Sequence, residues 1–363
     1  MARTLASIRP YQIAAVTGLS AVVLLASSYA ALSGATSYNL FYSDPFRFPD
    51  AVTASRPATV FANRKNLLNA LFVKKVWLWT TLAFASQAYL LRRPWSKLLM
   101  RVNGSKEPGP YDPLVRSILR YFVATTAWVF FTSWFLGPSL TDRTFLLTGG
   151  QCRLEIGDHN IPVPSELCRS RTKVSYESHP HLFHTSGFDL YGKDTKSLTD
   201  LAPRFRGGLD MSGHTFLLIL SILFLLEEIA PFLPYLLLRL PAPIRPTKAL
   251  IEGIIPRSQW ASLDPFSRPG SSPTQSSNAN NAPSTPPASQ TLAQQLSNPH
   301  IQAQIAAGAI FAHIGLSFWM LLMTQLYFHT LSEKVAGLVI GILSWLALPK
   351  DLPASRGAPA KSQ

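Results

Sequence analysis

Two histidines carry the chemistry that this chain offers. His214 closes the polar segment Arg206-Gly-Gly-Leu-Asp210-Met-Ser212-Gly213-His214 and stands at the mouth of the apolar run Thr215 to Leu226. His329 ends another apolar run and is followed four residues later by Glu333. A glycine-bearing polar stretch that ends in an ionisable group is costly at a membrane boundary, and such groups are functional-site candidates by default. Histidine suits proton transfer or nucleophilic attack, because one ring can act as base or nucleophile while another donates a proton. On a continuing helix the i,i+4 spacing shares a face, so Glu333 can bond the His329 ring and fix its tautomer. Ser212 and Asp210 flank His214 as supporting polar groups. Either histidine alone reads as an interfacial residue bonded to backbone or headgroups. The pair, with Ser212-Gly213 and Glu333 attached, reads as a site.

Membrane helices must position that pair. The chain has 363 residues, 47% hydrophobic and only 14% charged, which is outside the usual globular range. A hydrocarbon core of about 30 Å needs about 20 apolar residues per helix. Runs of that kind occur near Ile13–Leu32, Val73–Leu91, Ile118–Leu136, His214–Ala230, Gln304–Tyr327 and Val335–Leu348. The expectation is an all-α membrane protein of six transmembrane helices. Ile13–Leu32 follows Arg3 and Arg9, and its apolar stretch exceeds the roughly 7–15 residues of a signal sequence, which favours an uncleaved first helix. His214 then begins the fourth crossing and His329 ends the fifth, so both emerge at one face. Helices packed about 8–10 Å apart can place the two rings on opposite sides of one reacting atom, with roughly 6–7 Å between ring nitrogens.

The net charge of +14 is unevenly spread. Loop 138–212 holds nine basic and nine acidic residues, whereas segments 1–12, 92–117, 231–303 and 350–363 together hold sixteen Lys/Arg against five Asp/Glu. Six spans put those basic segments on one side, and the positive-inside bias makes that side cytoplasmic, with both termini on it. The basicity therefore reads as topology and contact with anionic headgroups; nucleic acid is excluded as a partner, since no basic soluble domain exists to carry it. Arg64, Lys65, Lys74 and Lys75 fall on the other side.

Cys152 and Cys168 both lie in loop 138–212, in a compartment that permits a disulfide, the alternative being two free thiols. The organisation expected is residues 1–266 with four helices and that loop, a disordered Ser/Pro/Asn/Gln-rich cytoplasmic insert over 267–295, and residues 296–363 with helices five and six and a tail. Phe41, Tyr42, Phe46, Phe48 and Pro49 can lie along the interface, and residues 247–262 suggest a short interfacial helix. Prolines from Pro231 onward are expected to end the fourth helix, with Glu227-Glu228 solvated near its cytoplasmic end. His313, about 24 Å before His329 on one helix, reads as an interhelical hydrogen-bonding residue. Gly337 and Gly341 form a Gly-x-x-x-Gly packing face. The four histidines of loop 138–212 lack metal-ligand spacing, so no metal and no other cofactor is expected, and no Walker, Rossmann or serine-hydrolase motif occurs.

Arg206-Gly-Gly-Leu-Asp-Met-Ser-Gly-His-Thr-Phe-Leu-Leu218, with Tyr327-Phe-His-Thr-Leu-Ser-Glu-Lys334, closely resembles the fat storage-inducing transmembrane family, and Phe72-Val-Lys-Lys-Val-Trp-Leu-Trp-Thr80 looks like that family's second helix. The resemblance covers most of the chain except the insert. It implies residence in the endoplasmic reticulum, a role in lipid-droplet formation and phospholipid balance, and a lipid-phosphatase-like enzyme. The implied activity is lumenal cleavage of the diphosphate of fatty acyl-CoA, giving acyl 4′-phosphopantetheine and adenosine 3′,5′-bisphosphate, with membrane lipids as the other partners. The resemblance makes His329 the nucleophile at phosphorus and His214 the proton donor to the leaving group, with Glu333 where the superfamily has an aspartate. Met211 replaces a proline of the superfamily motif, Leu322 and Met323 stand where it has Ser-Arg, and Arg93-Pro94 has Ser86 in place of the motif's lysine. The usual phosphate-gripping cations are therefore missing. Candidates for that task are Arg206, Arg204, Lys74, Lys75, Lys334 and the amides of Gly207, Gly208 and Gly213, because developing charge needs preorganised donors. Two rivals stay open: a non-catalytic protein that binds and partitions triacylglycerol or diacylglycerol, and a phosphatase of lipid phosphomonoesters.

Overall fold

Lipid offers a backbone no hydrogen-bond partner but itself, so long apolar runs must be helical. We describe a computed structural model covering residues 10–33, 59–63, 65–102, 112–132, 140–156, 159–170, 172–175, 177–184, 201–206, 208, 211–238, 243, 245–254 and 298–350. Five helical segments are long and apolar enough to cross a membrane: Pro10–Leu32, Val60–Leu98, Pro113–Thr132, Gly213–Leu238 and Pro299–Tyr327. The chain is a mostly helical, multi-pass membrane protein. The sequence suggests a sixth crossing, but the helix over Leu331–Leu346 has 16 residues, about 24 Å at 1.5 Å per residue, and is shorter than the other five.

The chain divides into two units, Met1–Ala127 with Ser212–Gln363, and Trp128–Met211. In the first, the helices are α1 (Pro10–Leu32), α2 (Leu67–Leu71), α3 (Val76–Gln87), α4 (Arg93–Val102) and α5 (Pro113–Thr132, whose last turns belong to the second unit). A 3₁₀ turn, Val73–Lys75, joins α2 to α3, and a π turn, Ala88–Arg92, carries α3 into α4. In the second unit, α6 (Leu140–Leu147) precedes β1 (Gln151–Ile156), β2 (His159–Pro162), α7 (Ser165–Ser170), α8 (Pro180–His184) and β3 (Arg204–Arg206). The first unit resumes with α9 (Gly213–Ile229), α10 (Leu233–Leu238), α11 (Lys248–Ile254), α12 (Pro299–Tyr327) and α13 (Leu331–Leu346).

Helix α9 is the centre of its unit. It packs against α13, α12 and α3, while α1 lies against α12 and α13. In its most apolar stretch 83% of residues are buried, against 17% for α5, as expected of a helix that is hydrophobic all round. Helix α5 instead turns most of its surface outward and holds α3 through Trp77 Nε1 to Thr125 Oγ1 (3.2 Å) and Thr81 Oγ1 to the Tyr121 hydroxyl (2.8 Å).

The prolines do not end the fourth span. Pro231 occupies the first turn of a 3₁₀ segment, Ala230–Phe232, and the chain continues helically into α10; a proline near a helix start removes an amide that has no partner there anyway. Glu227 and Glu228 consequently lie mid-segment and buried, at 1% and 0% exposure, and not solvated at an end. Glu228 is paired with Arg92 (3.3 Å) and with Arg120, and accepts from Ser117 Oγ at 2.6 Å. Glu227 accepts from the Tyr11 hydroxyl (3.0 Å) and from Gln12, and pairs with Lys350 at 3.6 Å. Buried charges persist only when paired. Arg92 and Lys350, counted above as headgroup-facing charge, are thus held inside the bundle.

The second unit corrects the all-α expectation. It carries a three-stranded antiparallel sheet in the order β2-β1-β3, with Leu154 opposite Ile161 and Cys152 opposite Phe205. Alternation along β1 buries Cys152 and Leu154 and turns Arg153 toward the surface, the period-two pattern of a half-buried strand. Leu154, Ile161, Val174 and Leu182 form its core. A Cys152–Cys168 disulfide ties β1 to α7. The 267–295 insert, the aromatic stretch Phe41–Pro49 and the chain's termini lie outside the described residues. Helix α11 occupies part of the suggested interfacial segment.

Candidate active site

The start of α9 explains the Ser-Gly-His spacing. Ser212 is the N-cap: its Oγ accepts from Thr215 N (3.3 Å) and touches Thr215 Oγ1 at 2.8 Å. Its hydroxyl is therefore engaged in starting the helix, the usual task of serine at this position. Gly213 and His214 follow as the first two helical residues, both half-buried, in a turn whose dipole favours nearby negative charge.

His329 sits between α12 and α13 with φ 58°, and is the sole non-glycine residue with positive φ among those described. A residue held in the left-handed region costs about 1–3 kcal/mol and persists where its surroundings over-determine it; such strain clusters at functional sites. Glu333 lies against it. One carboxylate oxygen accepts from Thr330 N at 2.8 Å, forming a capping box that opens α13, and the same oxygen lies 3.3 Å from His329 Nδ1. A carboxylate at Nδ1 selects the tautomer that carries its proton there, which leaves the lone pair on Nε2. The Glu333 side chain is 5% exposed and that of His329 is 24%, so the acid is inside and the ring faces out.

The two histidine segments are joined by backbone. Ser212 N donates to the Glu333 carbonyl at 3.1 Å. Gly337 makes that approach possible, since a Cβ there would lie 2.7 Å from the Ser212 carbonyl and 3.0 Å from Thr215 Cβ. At Gly341 a Cβ would meet Ile219 Cγ2 at 2.9 Å. The Gly-x-x-x-Gly face is thus the seam between the helices that bear the histidines. A buried polar chain runs beneath: Gln325 Nε2 donates to Thr215 Oγ1 (3.0 Å), and Ser27 Oγ donates to Gln325 Oε1 (3.3 Å). Gln325 is a site-supporting residue that the two histidine motifs do not include, and a glutamine deep in an apolar run is its signal in the sequence.

The phosphate-binding candidates separate. Lys334 is 1% exposed and donates to the Gln325 carbonyl at 2.5 Å, so this cation is spent within the fold. Lys74 and Lys75 are exposed on the 3₁₀ turn before α3. Thr80 pairs with Ser221 (2.7 Å), and Gln87 donates to the Glu228 carbonyl (3.0 Å). Equal sequence offsets mean that α3 runs parallel to α9, so Lys74 and Lys75 stand at the end where α9 begins with His214. Gly208, with φ 66°, is a packing glycine, because a Cβ would lie 2.5 Å from the Phe145 carbonyl. Gly213 has nothing near its Cβ position. Gly207 and Asp210, and the side chains of Arg204 and Arg206, lie outside the described residues. His313 meets Ser221 Oγ at 3.0 Å and Thr80 Oγ1 at 3.3 Å, an interhelical hydrogen-bonding role. Among the described residues no cluster of three or more His, Cys, Asp or Glu is placed to hold a metal.

The profile of the fat storage-inducing transmembrane protein family matches residues 57–348. Acyl-coenzyme A diphosphatase fit1 of Schizosaccharomyces pombe is 28% identical over 287 residues, 78% of this chain and 70% of that protein. Acyl-coenzyme A diphosphatase SCS3 of Saccharomyces cerevisiae is 30% identical over 116 residues, 31% of this chain and 28% of that protein. No solved structure matches.

Proposed function

The chain belongs to the fat storage-inducing transmembrane protein family, and from that membership we propose that it is a membrane hydrolase that cleaves the diphosphate of fatty acyl-CoA. Support for the enzyme reading comes from the names of the two relatives above and, above all, from Glu333. That one residue has its carboxylate 3.3 Å from His329 Nδ1 and receives the Ser212 amide, two residues before His214, on its carbonyl.

In the proposed reaction His329 Nε2 attacks one phosphorus of the diphosphate, a P–N bond forms, and the bridging P–O bond breaks. The His214 imidazolium gives its proton to the departing phosphate oxygen. Neutral His214 then takes a proton from water, whose oxygen attacks phosphorus and displaces His329. Atoms and charges balance with two imidazoles and one water; the products are acyl 4′-phosphopantetheine and adenosine 3′,5′-bisphosphate. Lys74 and Lys75 are proposed to meet the substrate's phosphates, with Arg206 and the amides of Gly207, Gly208 and Gly213 as further candidates.

The setting proposed is the endoplasmic reticulum membrane, crossed six times with both termini cytoplasmic and the site lumenal. It is supported by the basic balance of the four segments counted above and by the Cys152–Cys168 bridge in the second unit. Lipid-droplet formation and phospholipid balance would be the downstream consequence. The test is hydrolysis of oleoyl-CoA by purified protein in detergent, beside His214→Ala and His329→Ala. Activity in the wild type that both substitutions abolish, with unfolding temperatures unchanged, supports the diphosphatase. Wild-type inactivity, or activity indifferent to both changes, overturns it in favour of neutral-lipid partitioning.

A further inference from the structure

Between α3 and α12 lies a groove of about 560 Å³, within the range of small-molecule sites. Its walls are two stripes at helical spacing, Trp79, Leu82, Ala83 and Ser86 on one side, and Ala309, Ala312, His313 and Leu316 on the other, with Leu71 and Phe72 at one end. We propose that this groove holds the hydrocarbon chain of the acyl-CoA substrate, and that Ala309 and Ala312 set how long a chain is accepted. The proposal rests on the diphosphatase reading above.

Three observations select a hydrocarbon occupant. First, the indole of Trp79, the hydroxyl of Ser86 and one ring nitrogen of His313 are already engaged. Trp79 Nε1 donates to the Leu71 carbonyl (2.8 Å), Ser86 Oγ to the Ala83 carbonyl (2.8 Å), and His313 Nε2 meets Ser221 and Thr80. A polar ligand would lose its water here and gain little. Second, the groove opens toward lipid, where Leu71, Trp79 and Leu82 are 49%, 41% and 52% exposed, so a chain already in the bilayer can enter sideways. Third, depth and register fit. The parallel pairing of α3 with α9 sets Phe72 level with Gly213 and His214, and Ser86 lies fourteen residues deeper. That is roughly 20 Å along the bundle, against about 15 Å for half of a 30 Å hydrocarbon core. A chain lying in the groove therefore brings its thioester end up to the turn bearing Lys74 and Lys75. Those exposed cations complement the several negative charges of the coenzyme.

Alanine is what leaves the groove open. Ala309 and Ala312 are both exposed to it, and a tryptophan at either would occupy its lower half. The experiment compares kcat/KM for palmitoyl-CoA and octanoyl-CoA in wild type, Ala309→Trp and Ala312→Trp. The expected result is a loss of about tenfold or more on palmitoyl-CoA, with octanoyl-CoA nearly unaffected. Equal loss on both substrates by folded variants overturns the proposal. A second measurement needs no variant and no turnover: wild-type protein is irradiated with palmitoyl-CoA bearing a diazirine at the chain terminus. Labelling within 79–86 or 309–316, competed by palmitoyl-CoA and not by phosphatidylcholine, supports the groove. Labelling elsewhere, or equal competition by phosphatidylcholine, makes it a general lipid slot and overturns it. A wild type that hydrolyses neither thioester is a different failure, that of the diphosphatase reading itself.

Discussion

The amide of Ser212 lies 3.1 Å from the carbonyl of Glu333, so the segments that carry His214 and His329 are clamped by main chain, more than a hundred residues apart in sequence. Side chains then need only short reaches to be placed. The clamp depends on Gly337, where any Cβ would strike the Ser212 carbonyl.

Gly337→Ala should therefore lower both thermal stability in detergent and acyl-CoA hydrolysis, at about 1–3 kcal/mol for overpacking. Gly308→Ala is the control, since nothing lies within 4 Å of its Cβ position and alanine is the better helix former. The first should shift the unfolding temperature downward; equal behaviour of the two would refute the clamp.

Glu333→Gln keeps an oxygen for the Thr330 amide but removes the carboxylate from His329 Nδ1. The expected outcome is a fall in kcat of about 10²-fold with KM little changed, because the negative charge beside the ring that turns cationic on attack is lost while the capping box survives. Steady-state kinetics separate this from unfolding, which would lower the active fraction without such selectivity.

Replacing Lys74 and Lys75 by alanine removes two exposed cations from the end where α9 begins. KM for acyl-CoA should rise about twofold to fivefold per residue, and the difference from wild type should shrink as salt is added. A salt-independent effect would mean that the lysines act through packing instead.

Glu228→Ala leaves Arg92 and Arg120 buried without their acid, a loss of about 3–5 kcal/mol. Fluorescence-detected size exclusion should show aggregation or a much lower melting temperature. Combining it with Arg120→Ala should cost less than the sum of the two single changes.

What was legible in the sequence is what is local. The Ser-Gly-His start of α9, the His329–Glu333 pair and the long apolar runs each declare themselves within a few turns. What was not legible depends on partners distant in the chain. Glu228 looked like a solvated helix end because Arg92 and Arg120, 136 and 108 residues away, could not be seen beside it. Pro231 looked like a terminator because a 3₁₀ turn that accommodates it leaves no mark in hydropathy. Gly337 was recognisable as a packing residue, yet its target, the carbonyl that precedes the Gly-His dipeptide, emerges only from the fold. Lys334 was a candidate for gripping phosphate until burial on the Gln325 carbonyl assigned its charge elsewhere.

The Arg92–Glu228–Arg120 cluster also constrains how the protein is made. Each charge alone disfavours insertion by about 2.5–3.5 kcal/mol at a helix centre. The ribosome completes the π turn after α3, and then α5, well before it reaches α9, so during synthesis two arginine-bearing segments await one glutamate. Glu228 thus acts as a late keystone: its two arginines are in the membrane before the helix that begins with His214 brings the acid that pairs with both.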